Sequence, residues 1–140
     1  MIREYSSADI EEIIELWATA AVKTYNSISD AMIKSISADL RESYLPKAKT
    51  WVYVNNGKIA GFISLFEKTV GGIVVHPDYQ GVGIGKSLVE YAKQEKGSIY
   101  LDVLKENTKT FKFYEKCGFM PTKDSICPIT GAETITVVAQ

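Results

Sequence analysis

Gln80-Gly81-Val82-Gly83-Ile84-Gly85-Lys86-Ser87 sets three alternating glycines, a lysine and a serine between a strand-like run and a helix-like run. That composition suits a phosphate. The first N–H groups of a helix have no internal partners, and the helix dipole adds roughly half a positive charge there. Glycine lets phosphate oxygens approach the backbone closely, and no acidic side chain intervenes from Gln80 to Ser87. A nucleoside-triphosphate loop, G-x-x-x-x-G-K-[ST], is met at Gly85-Lys86-Ser87, but its leading glycine would fall on Gln80. A dinucleotide fingerprint, G-x-G-x-x-G/A, fits Gly81 and Gly83 and fails at Lys86. A tight turn alone needs a single glycine for backbone freedom. The pattern therefore points to a diphosphate-bearing cofactor that is not a dinucleotide.

Candidates for proton transfer are few. His76 is the only histidine and directly precedes Pro77, where a solvated or capping role is ordinary. Cys117 and Cys127 lack metal-ligand spacing and read as reduced thiols, so no metal is expected. Two carboxylates lie near the loop-bearing strands. Glu67 precedes 70–75, and Asp102 lies within 98–104, where it serves equally well as a structural carboxylate bonding nearby backbone. Tyr114 shares a helical stretch with Phe111 and Phe113, and aromatics there are ordinarily core. Tyr25, Tyr44 and Trp17 are candidates to line a substrate pocket, though helix packing explains Trp17 as well.

The elements that must position these residues alternate. A short strand spans 2–5. Ser6 and Ser7 offer a helix cap, and Ile10, Ile13, Ile14, Trp17 and Ala21 recur at helical spacing. A second helix runs over about 30–44 and should stop before Pro46. Strands at 50–54 and 59–66 flank Asn56-Gly57, a strong hairpin signal. The strand at 70–75 is mostly apolar, which suggests burial on both faces. A helix from about Ile84 closes at Gly97, a strand spans 98–104, and Asn107 or Thr108 caps a helix through Cys117. Gly118 is placed as a left-handed residue with Phe119 packing behind it. Residues 118–120 lead into another short strand, and a last one spans 135–138. The order β-α-α-β-β-β-α-β-α-β-β predicts a mixed α/β sheet with helices on both faces and a parallel crossover around the glycine loop.

Bulk properties narrow the function. The 140 residues suit one domain, 1–140, and 46% apolar with 24% charged residues is ordinary for a soluble globule. A net charge of −1 gives no general pull toward nucleic acid or membrane. No apolar run approaches the ~20 residues needed to cross a bilayer. The first residues turn acidic where a signal peptide would be apolar, so a cytoplasmic protein is expected.

VVHPDYQGVGIGKSLVEYA resembles the acetyl-CoA motif of the GNAT acyltransferase superfamily, whose core is [QR]-x-x-G-x-[GA]. Gln80, Gly83 and Gly85 fill it. LDVLKENTKTFKFYEKCGF is similar to the family's next motif through Asn107, Tyr114, Gly118 and Phe119. The resemblance covers about 50–122. It implies a mainly antiparallel sheet with one splayed parallel pair. The pantetheine arm of acetyl-CoA would lie in that gap on the main chain of Ile73 and Val75, with the pyrophosphate on the amides of Gly81, Val82, Gly83, Ile84, Gly85 and Lys86. Asn107 would bond the cofactor arm and Tyr114 would stand near the thioester sulfur. The implied reaction is direct acetyl transfer from acetyl-CoA to a primary amine, a small molecule or a protein N-terminus, with a homodimer as a further expectation. Many members carry a glutamate base on the strand before the loop, and TVGGIVV has none. Asp102, similar to the acid of members that acetylate protein N-termini, Glu67 and a water relay remain open for that role. A non-catalytic acetyl-CoA sensor on the same fold is the alternative.

Overall fold

The computed structural model describes residues 1–24 and 28–140. Strands β1 (Ile2–Glu4), β2 (Lys49–Asn55), β3 (Lys58–Phe66), β4 (Thr69–Val75), β5 (Ile99–Leu104), β6 (Met120–Ile126) and β7 (Glu133–Ala139) form one sheet, in the order β1-β2-β3-β4-β5-β7-β6. Every neighbouring pair is antiparallel except β4 with β5. Asn56 and Gly57 both take positive φ, 52° and 78°, and make the two-residue turn between β2 and β3. Such turns match the twist of the strands they join.

Two helical layers cover the sheet. α1 (Ile10–Thr24) lies on one face, with α2 (Asp30–Asp39) against it, and α4 (Ile84–Lys96) and α5 (Thr108–Lys116) lie on the other. The alternation of side chains along a strand divides the core. Phe62 of β3 and Val52 of β2 pack with Ile13 and Leu16 of α1. Their neighbours Ile63 and Trp51 pack with Leu88 and Val89 of α4. β3 is the strand buried on both faces, with only its two end residues exposed. The sequence assigns that place to β4, but Gly71 is exposed and Gly72 half-buried there. Those two positions carry no side chain to bury, and the β5 side of the strand is largely unpaired.

The helix expected to end before Pro46 continues past it. α2 passes into a π turn (Leu40–Tyr44) and then a short turn, α3 (Leu45–Lys47). Proline lacks an N–H, and its ring crowds the carbonyl four residues back. The chain widens just there: the Leu45 N–H bonds the Leu40 carbonyl, five residues back. This detour aims the Tyr44 side chain at the sheet.

Ser6 starts the first helical run, as its sequence position suggests. Its N–H donates to Asp9 Oδ2 at 2.9 Å, while Arg3 donates to both Asp9 carboxylate oxygens at 2.8 and 3.0 Å. The Arg3 bonds, helped by the Ser6 N–H, hold the Asp9 carboxyl below its ordinary range against the opposing effect of burial. A depressed native pKa stabilises the fold above the unfolded value of about 4, and that stability is lost as pH falls through the native pKa. Asp9→Asn should therefore cost about 1–2 kcal/mol at pH 7. In urea titrations the gap from wild type should close in acid; a gap of equal size at all pH values would contradict this assignment.

Candidate active site

β4 and β5 share one register pair, Thr69 with Tyr100, joined by a 3.0 Å bond from the Tyr100 N–H to the Lys68 carbonyl. Beyond it the strands diverge. The 2.8 Å bond from the His76 N–H to the Ala60 carbonyl sets the phase of the β3–β4 ladder. Residue pairs alternate in such a ladder, so Phe62 with Val74 is a bonded pair. Ile73 and Val75 then turn their N–H and C=O groups away from β3 and into the gap. Gln80 Nε2 donates to the Val75 carbonyl at 3.3 Å, tying the glycine loop to the strand end. The sequence reading supplies no such role for the Gln80 side chain.

The loop's three glycines have separate reasons. Gly81 and Gly83 take φ of 85° and 88°, the left-handed region. Gly85 is ordinary helix, but a Cβ there would stand 2.9 Å from Cys117 Sγ, so its bareness lets α5 pack against α4. Gly83 caps α4, and the first internal helix bond runs from the Ser87 N–H to the Gly83 carbonyl. The N–H groups of Ile84, Gly85 and Lys86 precede it and have no helical partner. They border a cavity of about 320 Å³ walled by Val75, Tyr79, Gln80, Phe113, Lys116 and Cys117. Two lysines and a helix N-terminus favour an anion there.

Asn107 caps α5, its Oδ1 accepting from the Thr110 N–H at 3.2 Å. Tyr114 is only 8% exposed and lies edge-on between Phe113 and Phe119, with ring centroids at 5.4 and 5.5 Å. Gly118, at φ 105°, turns the chain so that Phe119 folds back, its N–H bonding the Tyr114 carbonyl at 3.0 Å.

Asp102 stands on the other side of the sheet. Leu101 and Val103 are buried in the Tyr114 core, so the intervening Asp102 faces away from it. Thr136 Oγ1 donates to Asp102 Oδ1 at 2.6 Å. Asp102 lies two residues past Tyr100 on β5 and Gly71 two past Thr69 on β4, where Gly71 is the extra residue of a bulge against β3. Tyr114 and Asp102 therefore lie on opposite faces of the sheet.

The remaining sequence candidates fall elsewhere. His76 Nδ1 accepts from the Asp78 N–H at 3.1 Å and caps a short turn. Glu67 sits exposed at the β3–β4 turn with φ 58°. Trp17 packs against the α1 core, and Tyr25 lies outside the described residues.

The two cysteines differ chemically. Burial pushes the Cys117 thiol up to about 11. The Cys127 thiol is lowered by hydrogen bonds from the Thr130 hydroxyl and the Thr130 and Ile129 N–H groups. Thiolate is the reactive form. Iodoacetamide at pH 7.5 should label Cys127 in the native protein and Cys117 only after unfolding, as read by peptide mass; native labelling of Cys117 at a comparable rate would contradict this. Neither environment was readable from cysteine spacing.

A mixed sheet opened at its one parallel pair, with the bare amides of a glycine-capped helix beside the opening, is the arrangement that the resemblance to acyltransferases implied. The comparisons agree. A profile described as acetyltransferase (GNAT) domain matches residues 46–121. The chain is 31% identical over 120 residues to the peptidyl-lysine N-acetyltransferase YiaC of Escherichia coli (strain K12), covering 85% of this chain and 82% of that one. The solution structure of apo YjaB from Escherichia coli superposes with a TM-score of 0.76 at 27% identity, covering 99% of this chain and 95% of that one. The PaiA N-acetyltransferase of Thermoplasma acidophilum, solved with coenzyme A, shares the fold at a TM-score of 0.75 and 22% identity, covering 97% and 96%. The chain belongs to the GNAT acetyltransferase family. Among the described residues no helix is long and apolar enough to cross a membrane.

Proposed function

We propose that this chain transfers the acetyl group of acetyl-CoA to a protein amine, with a lysine side chain as the favoured acceptor. The observation that carries the reading is the single-pair junction of β4 and β5, which leaves the main chain of Ile73 and Val75 turned into a gap that leads to the amides of α4. An extended pantetheine bonds such a strand edge as another strand would, and its pyrophosphate then meets Ile84, Gly85 and Lys86. The outward main chain of Ile73 and Val75 and the bare amides of α4 support this fit. The sequence leaves a small amine or a protein N-terminus as acceptor; the 31% identity to relatives named peptidyl-lysine N-acetyltransferases supports a lysine amine.

Acetyl-CoA supplies a thioester carbonyl open to attack. The neutral amine adds to that carbon, an N–C bond forms, and the C–S bond breaks with its electron pair going to sulfur. The surplus proton leaves the nitrogen for Asp102, directly or through water. Asp102 takes the proton as the N–C bond forms, when the nitrogen is most acidic. Tyr114, on the opposite face, donates a hydrogen bond to the developing thiolate, and that hydrogen bond carries the stabilisation. Holding both reactants in the gap contributes the larger share of the rate.

The test offers the protein acetyl-CoA with two peptides. One has a blocked N-terminus and a single lysine; the other has a free N-terminal alanine and no lysine. Acetylation of the lysine peptide, located by fragmentation mass spectrometry, is expected. Acetylation of the alanine peptide alone would move the acceptor to protein N-termini, and CoA release unaffected by either would overturn protein-amine transfer.

A further inference from the structure

The acceptor side of the gap carries a hydroxyl that none of the preceding roles uses. Tyr44, brought to the sheet by the π turn, is partly buried and lies over the glycine pair of β4. A Cβ on Gly71 would collide with the Tyr44 hydroxyl and reach 2.8 Å from Phe66 Cε2; one on Gly72 would lie 3.5 Å from that hydroxyl. The Tyr44 and Phe66 rings meet edge-on with centroids 5.1 Å apart. Behind them, the Ser64 hydroxyl stands near the Tyr44 phenol, and its Oγ lies 2.8 Å from Thr50 Oγ1. Ser64 and Thr50 are both fully buried. A buried polar pair thus backs a partly buried tyrosine in an otherwise apolar layer. Burial raises the Tyr44 phenol above its ordinary range, with the Ser64 hydroxyl opposing, so it stays neutral at physiological pH.

Position gives this arrangement its meaning. Gly71 and Asp102 each follow the β4–β5 register pair by two residues, and Tyr44 lies on the Asp102 side of the sheet. Phe66 is 37% exposed and Gly71 is exposed, so the hydroxyl sits at the rim of an accessible apolar spot. We propose that Tyr44, flanked by Phe66 and Gly71, binds the acceptor: the phenol oxygen accepts a hydrogen bond from the attacking amine, and the Phe66 ring receives the methylenes of an unbranched alkyl amine such as a lysine side chain. This rests on the acetyl-transfer reading and adds a binding residue to it. The missing Cβ atoms of Gly71 and Gly72 make the room.

Tyr44→Phe keeps the ring and its contact with Phe66 and removes only the hydroxyl. With the blocked lysine peptide, kcat/KM for the peptide should fall about tenfold, the loss of one hydrogen bond to an ionisable group. The dissociation constant for acetyl-CoA, measured by calorimetry, should change less than about twofold, since Tyr44 takes no part in the phosphate cradle. Ser64→Ala should give a smaller fall of the same kind. Unchanged peptide kcat/KM in Tyr44→Phe, or a loss that appears equally in acetyl-CoA affinity, would overturn the assignment. Wild-type turnover in the same assay separates this outcome from failure of the acetyl-transfer reading, which would leave the wild type inactive too.

Discussion

Tyr114→Phe is expected to lower kcat for acetyl transfer by about 100-fold, with acetyl-CoA affinity changed less than about twofold. The size follows from removing one preorganised donor aimed at charge that develops only in the transition state. The retained affinity follows from location. Tyr114 lies in the α5 core against Phe113 and Phe119, while the phosphate-facing amides belong to the start of α4. The variant keeps the ring and hence both edge-on contacts, so folding is preserved. Stopped-assay kinetics and calorimetric binding on the same preparation check the two halves. A drop in affinity matching the drop in rate would make Tyr114 a packing residue, and unchanged turnover would remove it from the chemistry.

Phe119→Ala should destabilise the fold by about 3–5 kcal/mol, the usual cost of emptying a buried aromatic site. Phe119 is 2% exposed and closes the core over Tyr114. Its place depends on Gly118, whose φ of 105° only glycine adopts comfortably, and on the bond back to the Tyr114 carbonyl. The lost ring also frees Tyr114 to shift, and displacements near 1 Å are costly to catalysis. Phe119→Leu fills much of the space. It should recover most of the stability and less of the rate, because a branched aliphatic side chain does not reproduce the edge-on contact. Urea unfolding and kcat for both variants check this. Equal recovery of the two quantities would argue that Phe119 supports the fold without orienting Tyr114.

Much of the architecture was legible because local signals agreed with it. Asn56-Gly57 specified the hairpin turn, Gly97 and Gly118 ended helices in the expected backbone geometry, and the apolar period from Ile84 gave α4. Pro46 misled because proline stops a helix only when the backbone cannot widen, and a π turn is not visible in composition. β4 read as doubly buried because valine and isoleucine dominate it, whereas the strand's far edge opens into a gap.

The site divides in the same way. The glycine loop was legible because its backbone imposes a requirement on residue type at fixed spacing: Gly81 and Gly83 both take positive φ. Even so, Gly85 is explained by Cys117, a contact 32 residues away in sequence. Asp102 could be singled out, but its partner Thr136 and its side of the sheet emerged only from strand pairing. Tyr44, Ser64 and Thr50 meet through tertiary packing and share no motif. Contacts of that kind depend on register and helix approach, which no local pattern encodes.

The central claim is that the β4–β5 gap is the cofactor channel, with chemistry occurring between Tyr114 on one face and Asp102 on the other. A crystal structure of the protein with acetyl-CoA tests it most directly. The account predicts pantetheine bonded to the main chain of Ile73 and Val75, pyrophosphate on the amides of Ile84, Gly85 and Lys86, and the thioester sulfur within hydrogen-bond reach of the Tyr114 hydroxyl. A pantetheine lying outside the gap, or a sulfur remote from Tyr114 with the phosphates in place, would contradict it.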